Sequence, residues 1–174
     1  MNVVAPSPFV LEMAARAPEG RGLDIACGRG RHSLALARGG RRVDAIDRAW
    51  DACRALRDVA AAERLPVAIA CADALALRWP RGRYALIVQT LFLERALFPA
   101  LIAALAPGGL LVVETFTREQ LALGHPRTAA FTLAPNELLR LVEPLRVVAY
   151  HDGPLERNGE TVFLAGIAAQ APSQ

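Results

Sequence analysis

The sequence contains no lysine, so all 20 of its Lys and Arg positions are arginine, and its net charge is +3. Aromatic residues make up only 6% of the chain. Long apolar runs are also missing, because charged residues, prolines or glycines interrupt each run before it reaches the length of a membrane span. The first residues lack a basic leader, and Pro6, Pro8 and Glu12 interrupt the apolar stretch that a signal peptide needs. These absences predict a cytoplasmic protein without a membrane segment.

Cysteine is scarce as well: Cys27, Cys53 and Cys71 are odd in number and have no metal-ligand spacing. This usage is typical of a reducing compartment and predicts no bound metal. Arginines are frequent in one stretch of the chain, namely Arg29, Arg31, Arg38, Arg41, Arg42 and Arg48. Such a stretch can form a rim for RNA or an anion, or it can reflect a GC-rich coding bias. Acidic residues are interspersed throughout, which favours the second interpretation and a small-molecule partner over nucleic acid.

The length of 174 residues predicts a single domain over residues 1–174. Short apolar runs alternate with amphipathic stretches along the first two thirds of the chain. The predicted strands are 21–27, 41–47, 67–73, 84–92 and 110–116. The predicted helices are 31–40, 48–65 and 94–109, and residues 1–20 form an N-terminal helical extension. Because the strands are continuous apolar runs joined by helical crossovers, they favour a parallel sheet with helices on both faces.

The last third follows a different pattern. A short helix at 135–145 precedes two strands at 146–153 and 160–169. The turn 154–159 is too short for a crossover helix, so these strands should pair antiparallel. The predicted fold class is therefore α/β, with a seven-stranded, mostly parallel, Rossmann-like sheet, helices on both faces and a closing antiparallel hairpin.

Residues 26–30 follow the first predicted strand, where ligands of open α/β sheets bind. Gly28 and Gly30 permit a sharp turn without a Cβ, and the next helix presents free N–H groups to an anionic group. The dinucleotide fingerprint G-x-G-x-x-G is incomplete, because Ser33 replaces its third glycine. The turn predicts a small cofactor. A nicotinamide-dependent reductase is an alternative that Ser33 and the closing hairpin disfavour.

Three aspartates accompany this turn on neighbouring strands. Asp47 ends the second predicted strand, where one carboxylate can accept hydrogen bonds from both hydroxyls of an adenosine ribose. Asp73 ends the third, at the height of the exocyclic amine of an adenine. Either residue alone is equally explained as a helix N-cap or a turn residue. Asp24 lies inside the first strand, where a buried carboxylate is costly unless it meets a cation or backbone donors.

Residues 20–170 resemble the class I S-adenosylmethionine-dependent methyltransferases in "LDIACGRGRHSLALA", in Asp47, in "CADAL" and in "LAPGGLLVVETF". The later segment "GHPRTAAFTLAPNELLRLV" is similar to small bacterial tellurite-resistance methyltransferase-like proteins. The resemblance implies S-adenosyl-L-methionine as cofactor, with Gly28 and Gly30 near its methionine moiety. It also implies Asp47 on the ribose, and Asp73 with Ala74 facing the adenine. The full cofactor-binding set that it implies is Asp24, Ala26, Cys27, Gly28, Gly30, Asp47, Arg48, Asp73, Ala74 and Gln89.

Methyl transfer needs positioning and exclusion of water rather than a catalytic triad. Candidate acceptor contacts lie beyond strands four and five, and they are Gln89, Thr90, Phe92, Glu114, Phe116 and His125. His125 is either a general base or a surface residue of its loop. Cys27 is interpreted as a packing residue rather than a nucleophile. An Asp/Asn-Pro-Pro-aromatic motif is absent at Gln89, and so is a Pro-Cys nucleophile, which argues against nucleic-acid acceptors.

The sequence thus predicts a methyltransferase that acts on a small molecule or simple oxyanion, as a monomer or homodimer. The alternatives are a non-catalytic S-adenosylmethionine-binding module and an RNA-modifying methyltransferase. Residues 117–133 are long for a connecting loop, and their position after the fifth strand predicts a lid over the methyl-donor pocket. Gly124 gives this segment a flexible point, and Arg127 offers a contact for an anion.

Overall fold

The computed structural model describes residues 5–157 and 159–173 of the protein. Residues 1–4 of the predicted N-terminal extension, Asn158 of the predicted hairpin turn and Gln174 lie outside the described residues. The strands are β1 (Gly22–Ile25), β2 (Val43–Asp47), β3 (Val67–Cys71), β4 (Tyr84–Thr90), β5 (Leu105–Phe116), β6 (Arg146–Arg157) and β7 (Glu160–Gln170). The α-helices are α1 (Pro8–Arg16), α2 (Arg31–Arg38), α3 (Trp50–Ala62), α4 (Phe98–Ala104) and α5 (Glu137–Leu141).

The strands form one 7-stranded sheet in the order β3-β2-β1-β4-β5-β7-β6. The pairs among β1 to β5 are parallel, and β7 pairs antiparallel with both β5 and β6. The predicted seven-stranded, mostly parallel sheet with a closing antiparallel hairpin is confirmed. The strand order reverses between β1 and β4, so a ligand of this sheet is expected at the carboxyl ends of these two strands.

Helices cover both faces of the sheet, as predicted. On one face, Val10 and Met13 of α1 pack in a buried apolar cluster with Val88 of β4. On the other face, Phe98 of α4 and Leu138 of α5 belong to the larger core cluster. Burial of each such side chain contributes about 1.5–3 kcal/mol, so these two layers hold the sheet in place. None of the helices among the described residues is long and apolar enough to cross a membrane.

Helix α1 begins at a local capping signal in the sequence. The Ser7 side chain accepts a hydrogen bond from the backbone N–H of Val10, which is otherwise unpaired at a helix start. Pro8 occupies the first helical position, where its missing N–H removes no intrahelical bond. The helix of the predicted N-terminal extension therefore covers Pro8–Arg16.

The predicted helix 94–109 is wrong at both ends. A short 3₁₀ turn precedes α4, and residues 105–109 belong to β5. Pro99 is tolerated because it lies in the first turn of α4. Gly109 continues the strand instead of ending a helix. A Cβ at this glycine would lie 2.7 Å from the carbonyl oxygen of Tyr84, so the close approach of β4 and β5 requires glycine.

The closing hairpin has longer strands than predicted. Residues 154–157 belong to β6 and not to the turn, and Pro154 pairs with Phe163 of β7. Since β6 is an edge strand, proline is tolerated there although it cannot donate a hydrogen bond to the ladder.

The connection from β3 to β4 corrects the prediction that every crossover is helical. Its residues 72–83 are all described and contain only the 3₁₀ helix Ala74–Ala76. The sequence "RWPRG" at 78–82 supplies a proline and a glycine that prevent a longer helix. Without a covering helix, Ala68 and Ala70 of β3 are exposed.

Candidate cofactor and acceptor site

The glycine turn 26–30 follows the carboxyl end of β1. Its backbone has three positive φ angles, which are 53° at Ala26, 55° at Gly28 and 79° at Gly30. A Cβ at Gly28 would meet no atom within 4 Å, so this glycine faces open space that a ligand can fill. A Cβ at Gly30 would lie 2.2 Å from Cδ1 of Leu56, so Gly30 is required for packing against α3. The two glycines therefore have different structural purposes.

Asp47 connects the glycine turn with the end of β2. Its Oδ2 accepts a hydrogen bond from the Gly28 N–H at 2.7 Å, and its Oδ1 accepts one from the Ala49 N–H at 2.8 Å. An ionised carboxylate has about four acceptor positions, so further positions remain for a ligand. The prediction that Asp47 ends the second strand is confirmed.

Asp24 is buried in β1, with 1% of its surface exposed. Its Oδ2 accepts hydrogen bonds from the backbone N–H of Ser33 at 3.0 Å and from the Ser33 hydroxyl at 2.6 Å. Burial raises the pKa of this carboxyl to about 6, although the bonds from Ser33 lower it. The predicted partner of Asp24 was a cation or a backbone donor, and the structure contains a backbone donor. Ser33, which interrupts the dinucleotide pattern, is the residue that supplies it.

Cys27 packs beneath the turn. It belongs to a buried cluster with Leu34 and Leu56, and only 8% of its surface is exposed. Burial raises the pKa of its thiol, and the nearby carboxylates Asp24 and Asp47 raise it further. A thiol that stays protonated at neutral pH is a poor nucleophile, which supports the predicted packing role.

Asp73 lies two residues beyond the end of β3, so the prediction that it ends the strand is wrong. Its Oδ1 accepts a hydrogen bond from the Leu75 N–H at 2.9 Å, and it caps the short helix Ala74–Ala76. The structure thus contains the N-cap that was the alternative explanation of this residue. Ala74 is buried directly after it. The contact of this pair with an adenine stays a prediction.

Gln89 lies in β4 with no exposed surface. Its Nε2 donates a hydrogen bond to the carbonyl oxygen of Phe92 at 3.0 Å, so two of the predicted acceptor contacts are in fact bonded to each other. Its Oε1 is buried and has no hydrogen-bond partner. A buried polar atom without a partner is costly, and a bound ligand that donates a hydrogen bond would remove that cost.

A buried histidine joins α1, α2 and β4. The Nε2 of His32 accepts a hydrogen bond from the Ser7 N–H at 3.0 Å, and its Nδ1 lies 3.3 Å from the Thr90 hydroxyl oxygen. Because Nε2 is the acceptor, we assign the ring proton to Nδ1, which then donates to Thr90. Burial, and next the charge of Arg31, lower the pKa of His32 to about 4. The ring is therefore neutral at physiological pH.

Glu114 is fully buried in β5 and pairs in register with Thr90, the neighbour of His32. Arg157 donates to its Oε2 at 2.6 Å and to the Ser7 hydroxyl at 3.1 Å, and the His151 Nε2 lies 3.5 Å from its Oε1. Burial alone would raise the pKa of this carboxyl. The neighbouring side chains of His151, Ser7 and Arg157 outweigh burial and lower the pKa to about 2. Gly166 makes room for the imidazole, since a Cβ there would lie 2.2 Å from the His151 Nε2.

The predicted lid segment 117–133 is not an open loop. It contains two 3₁₀ helices, Arg118–Leu123 and Ala129–Phe131. An isolated β-bridge between Thr117 and Leu133 closes its base. Gly124 ends the first 3₁₀ helix with a φ of 83°, and its predicted flexibility stays a prediction.

Arg95, the first residue of the 3₁₀ helix before α4, anchors the second half of this segment. Its guanidinium donates to the Glu137 carboxylate at 2.5 and 3.1 Å, to the carbonyl oxygen of Ala130 at 2.8 Å and to that of Thr132 at 3.1 Å. Gln120 anchors the first half, since its Oε1 accepts a hydrogen bond from the Phe163 N–H at 2.7 Å. The part between these anchors contains His125.

His125 packs on Phe116, and the ring centroids lie 5.7 Å apart in an edge-to-face arrangement. Its side chain is exposed. The structure therefore brings together two of the predicted acceptor contacts at the outer end of β5.

The predicted acceptor residues divide into two groups. Gln89 and Thr90 are adjacent in β4, and adjacent strand residues point to opposite faces of a sheet. Thr90 pairs in register with Glu114, on the α1 side where His32 lies. The expectation that the acceptor candidates lie beyond the strands holds for Phe92 and His125. It is wrong for the four residues that belong to β4 and β5, namely Gln89, Thr90, Glu114 and Phe116.

Besides His32 and Gln120, four further residues belong to this region and were not predicted, namely Ser7, Arg95, His151 and Arg157. Ser7 had a detectable signal, because Ser-Pro before an apolar stretch is a helix-start pattern. The other three have none in a single sequence. Arg157 and Glu114 are 43 positions apart, and Arg95 and Glu137 are 42 positions apart.

A model of a methyltransferase domain family matches residues 23–109 of the chain. These residues make up half of the sequence and include the glycine turn, Asp47, Asp73 and Gln89. The chain belongs to this methyltransferase domain family, and it is an S-adenosylmethionine-dependent methyltransferase. A search of curated protein sequences found no match.

Solved structures of this fold are similar over nearly the whole chain. TehB from Haemophilus influenzae is 23% identical with a TM-score of 0.82, over 98% of this chain and 64% of TehB. An S-adenosylmethionine-dependent methyltransferase from Methanosarcina mazei is 20% identical with a TM-score of 0.76, over 98% of this chain and 100% of the other. Geranyl diphosphate C-methyltransferase from Streptomyces coelicolor, in complex with S-adenosyl-L-homocysteine, is 17% identical with a TM-score of 0.74, over 93% and 73%. These likenesses show the fold.

The residues at the carboxyl edge of β1, β2 and β4 fit S-adenosylmethionine, the cofactor of this family. The backbone at Gly28 borders open space, so a ligand can approach it closely. Asp47 keeps free acceptor positions next to that space. The unpartnered Oε1 of Gln89 is an acceptor suited to a cationic donor such as an ammonium group.

Proposed function

We propose that this methyltransferase transfers the methyl group of S-adenosyl-L-methionine to a small molecule or simple oxyanion in the cytoplasm, as a monomer or homodimer. The observation that carries the proposal is the bonding of Arg157 to both Glu114 and Ser7, at 2.6 and 3.1 Å. These bonds hold the β6–β7 hairpin and the start of α1 against β5. An acceptor at this edge would be enclosed by the chain itself, which favours a compact molecule over a polymer.

Segment 117–133 forms the second wall of the proposed acceptor site and acts as its lid. Its base is closed by the Thr117–Leu133 bridge and its end is tied to Arg95, so opening is limited to the part around Gly124. Arg127 is exposed in that part and would supply the cationic contact for an oxyanion.

The cofactor supplies a methyl group that is already activated by a positively charged sulfur. In the proposed site Asp47 holds the ribose hydroxyls with the acceptor positions that Gly28 and Ala49 leave free. The Gly28 backbone approaches the methionine moiety, and the Oε1 of Gln89 accepts a hydrogen bond from its ammonium group. Asp73 and Ala74 face the adenine.

The remaining residues of the predicted cofactor set act through the shape of the site. Asp24 holds the start of α2 through Ser33, and Gly30 lets α3 pack against the turn. Backbone groups, rather than side chains, are the expected ligand contacts of the set Ala26, Cys27 and Arg48.

The acceptor side of the site works by positioning and by exclusion of water, which can supply roughly 7–11 kcal/mol. Glu114 is ionised and engaged by Arg157, so it is not a proton donor at neutral pH. The depressed pKa of His32 makes it a weak base. His125 is the one predicted general-base candidate on the lid, and acceptors that already carry a lone pair at neutral pH do not need it.

The ion pairs of the arginines argue against the RNA alternative. Arginines in ion pairs with Asp or Glu side chains are Arg21, Arg38, Arg54, Arg57, Arg83, Arg95 and Arg157. Their charge is locally balanced, which weakens their attraction for a phosphate backbone.

The experiment is a methyl-transfer assay with labelled S-adenosylmethionine against a panel of thiols, amines, carboxylates, chalcogen oxyanions and total RNA. We expect turnover with one of the small-molecule classes and none with RNA. If an oxyanion is the acceptor, Arg127→Gln should raise its KM severalfold. The matched change Arg140→Gln, at an exposed arginine of α5, should leave KM unaltered. Methylation of RNA alone would overturn the proposal, and cofactor binding without turnover on a broad panel would favour the non-catalytic module.

A further inference from the structure

Two of the three cysteines, Cys53 and Cys71, contact consecutive backbone carbonyl groups at the carboxyl end of β2. Cys53 is in the first turns of α3 and is buried, whereas Cys71 is the last residue of β3 and is exposed. The Cys53 Sγ lies 4.0 Å from the carbonyl oxygen of Ala70, the residue directly before Cys71. Neither thiol has a part in the proposed methyl transfer, so this pair needs another explanation.

The backbone explains why the two thiols meet. Val67 and Ile69 of β3 pack against the buried cluster that contains Leu56 and Ala60 of α3. Every second residue of a strand points to the same face, so Cys71 also faces α3. The Cys53 Sγ lies 3.4 Å from the carbonyl oxygen of Asp47, and the Cys71 Sγ lies 3.6 Å from that of Arg48. The pair therefore rests on two consecutive carbonyl groups.

Those carbonyl groups belong to the residues at the end of β2 that carry the proposed ribose contact. Asp47 pairs in register with Cys71, and its carboxylate also holds the Gly28 N–H at 2.7 Å. A change in the distance between α3 and β3 would therefore act directly on the cofactor side of the site.

We propose that Cys53 and Cys71 form a reversible disulfide, and that this disulfide weakens cofactor binding. The second half of the proposal rests on the proposed cofactor site, whereas the first half does not. Reversible disulfides of this kind are the ones found in reducing compartments, where they act as redox sensors. The site is thus a modification site next to the cofactor, outside the methyl-transfer chemistry.

The oxidant that fits is a low-molecular-weight disulfide, R–S–S–R. The exposed Cys71 sulfur attacks it, forms a mixed disulfide and releases one R–SH. The Cys53 sulfur then attacks the mixed disulfide at Cys71 and releases the second R–SH, which takes up its proton. Two protein thiols are oxidised and one small disulfide is reduced to two thiols. Burial raises the pKa of the Cys53 thiol to about 11, in keeping with its role as the second, slower partner.

A disulfide joins its sulfurs at about 2 Å, which is much closer than two non-bonded sulfur atoms approach each other. Closing the bond therefore pulls the first turns of α3 and the end of β3 toward each other. The Asp47 and Arg48 carbonyl groups, which contact the two sulfurs, must move with them. Because a misplacement of about 1 Å in positioning residues can change binding or rate by orders of magnitude, we expect roughly tenfold weaker cofactor binding.

The experiment treats the full chain with glutathione disulfide and then measures two properties. Intact mass and peptide mapping should show the loss of two hydrogen atoms and a cross-linked Cys53–Cys71 peptide pair. Calorimetric titration with S-adenosylhomocysteine should show roughly tenfold weaker binding in the oxidised protein, restored by a dithiol reductant.

Two variants act as controls. Cys71→Ser should bind S-adenosylhomocysteine equally well before and after treatment, because it cannot form the bond. Cys27→Ala, scored by mass alone, should still lose two hydrogen atoms. Failure of the wild type to lose them, or a mixed disulfide that stops at Cys71, would overturn the disulfide. A disulfide with unchanged affinity would overturn its effect on the cofactor. Absence of binding even in the reduced protein would instead count against the proposed cofactor site, while the mass result would still decide the disulfide.

Discussion

The backbone N–H of Gly28 donates a hydrogen bond to the Asp47 carboxylate at 2.7 Å, which joins the turn after β1 to the end of β2. This bond fixes the relative position of the two elements that the proposed site uses for the methionine and ribose parts of the cofactor. Asp47 therefore has two tasks, since it shapes the turn and offers its free acceptor positions to the ligand.

Replacing Asp47 tests both tasks. Asp47→Ala should weaken S-adenosylhomocysteine binding by about 1.5–3 kcal/mol, the range for hydrogen bonds to a charged group. The fold should survive, because Asp47 is only partly buried at a strand end. Calorimetric titration and a denaturation curve measure the two quantities. The matched control is Asp51→Ala, whose side chain is 84% exposed and which should bind as the wild type does. Equal affinities of the Asp47 and Asp51 variants would show that the ribose is held elsewhere.

Asp24 gives the folding stability a specific pH dependence. Its pKa is raised by burial from 3.8 in the unfolded chain to about 6 in the folded one. Between these pH values the folded chain keeps a proton that the unfolded chain has lost. The contribution of Asp24 to the free energy of unfolding therefore falls as the pH rises from 3.8 to about 6. At about 1.4 kcal/mol per pKa unit, the loss amounts to about 3 kcal/mol.

The variant Asp24→Asn should remove this loss, since an amide does not titrate and its oxygen can still accept both bonds from Ser33. We expect the stability of the variant relative to wild type to rise by about 3 kcal/mol between about pH 3 and about pH 7. Urea denaturation at intervals across that range measures it. A constant difference between the two proteins at all pH values would contradict the assignment.

His32 changes the free energy of unfolding in the opposite direction over much of the same pH range. Burial lowers its pKa from 6.5 to about 4, so the unfolded chain takes up a proton that the folded chain does not. Its contribution is therefore lost as pH falls from 6.5 toward 4, by about 3 kcal/mol in total. His32→Gln should lose less stability than wild type on acidification, measured by the same denaturation series. A wild-type-like acid profile for this variant would mean that the imidazole is protonated in the folded protein.

The lid should be cut by trypsin at one preferred bond. Arg127 is exposed between the anchors at Gln120 and Arg95, so cleavage after Arg127 should come first. Cofactor product together with the acceptor should slow it severalfold. Arg95→Ala should speed it, because the bonds to Ala130, Thr132 and Glu137 are lost. Arg140→Ala serves as the control and should change nothing. Equal cleavage rates with and without ligands would mean that the segment is not a lid.

Much of the fold could be predicted because it depends on local patterns. Continuous apolar runs, glycine stops and Pro66 after α3 mark elements whose order allows only a few sheet topologies. The bounds were less predictable. The end of the helix at 94–109 was wrong because "PGG" ends helices in many contexts, whereas Gly109 is needed here for a contact with the Tyr84 carbonyl, which no local pattern reveals.

The candidate site was also predictable only in part. Asp47 and the turn around Gly28 follow directly from their positions at strand ends. The bond from Arg157 to Ser7 joins residues 150 positions apart, and such a pair depends on how β6 and α1 pack rather than on any spacing. The cost of burying Asp24 was predictable, but the sequence did not show that Ser33 would supply both of its hydrogen bonds.

The most direct test of the cofactor site is a calorimetric comparison of S-adenosylhomocysteine with NADH on the reduced full-length chain. Both ligands carry an adenosine ribose, but the turn has Ser33 in place of the third glycine that a dinucleotide fingerprint requires. We expect one S-adenosylhomocysteine to bind each chain and NADH to show no heat of binding. Binding of NADH without S-adenosylhomocysteine would contradict the assignment of this edge of the sheet to S-adenosylmethionine.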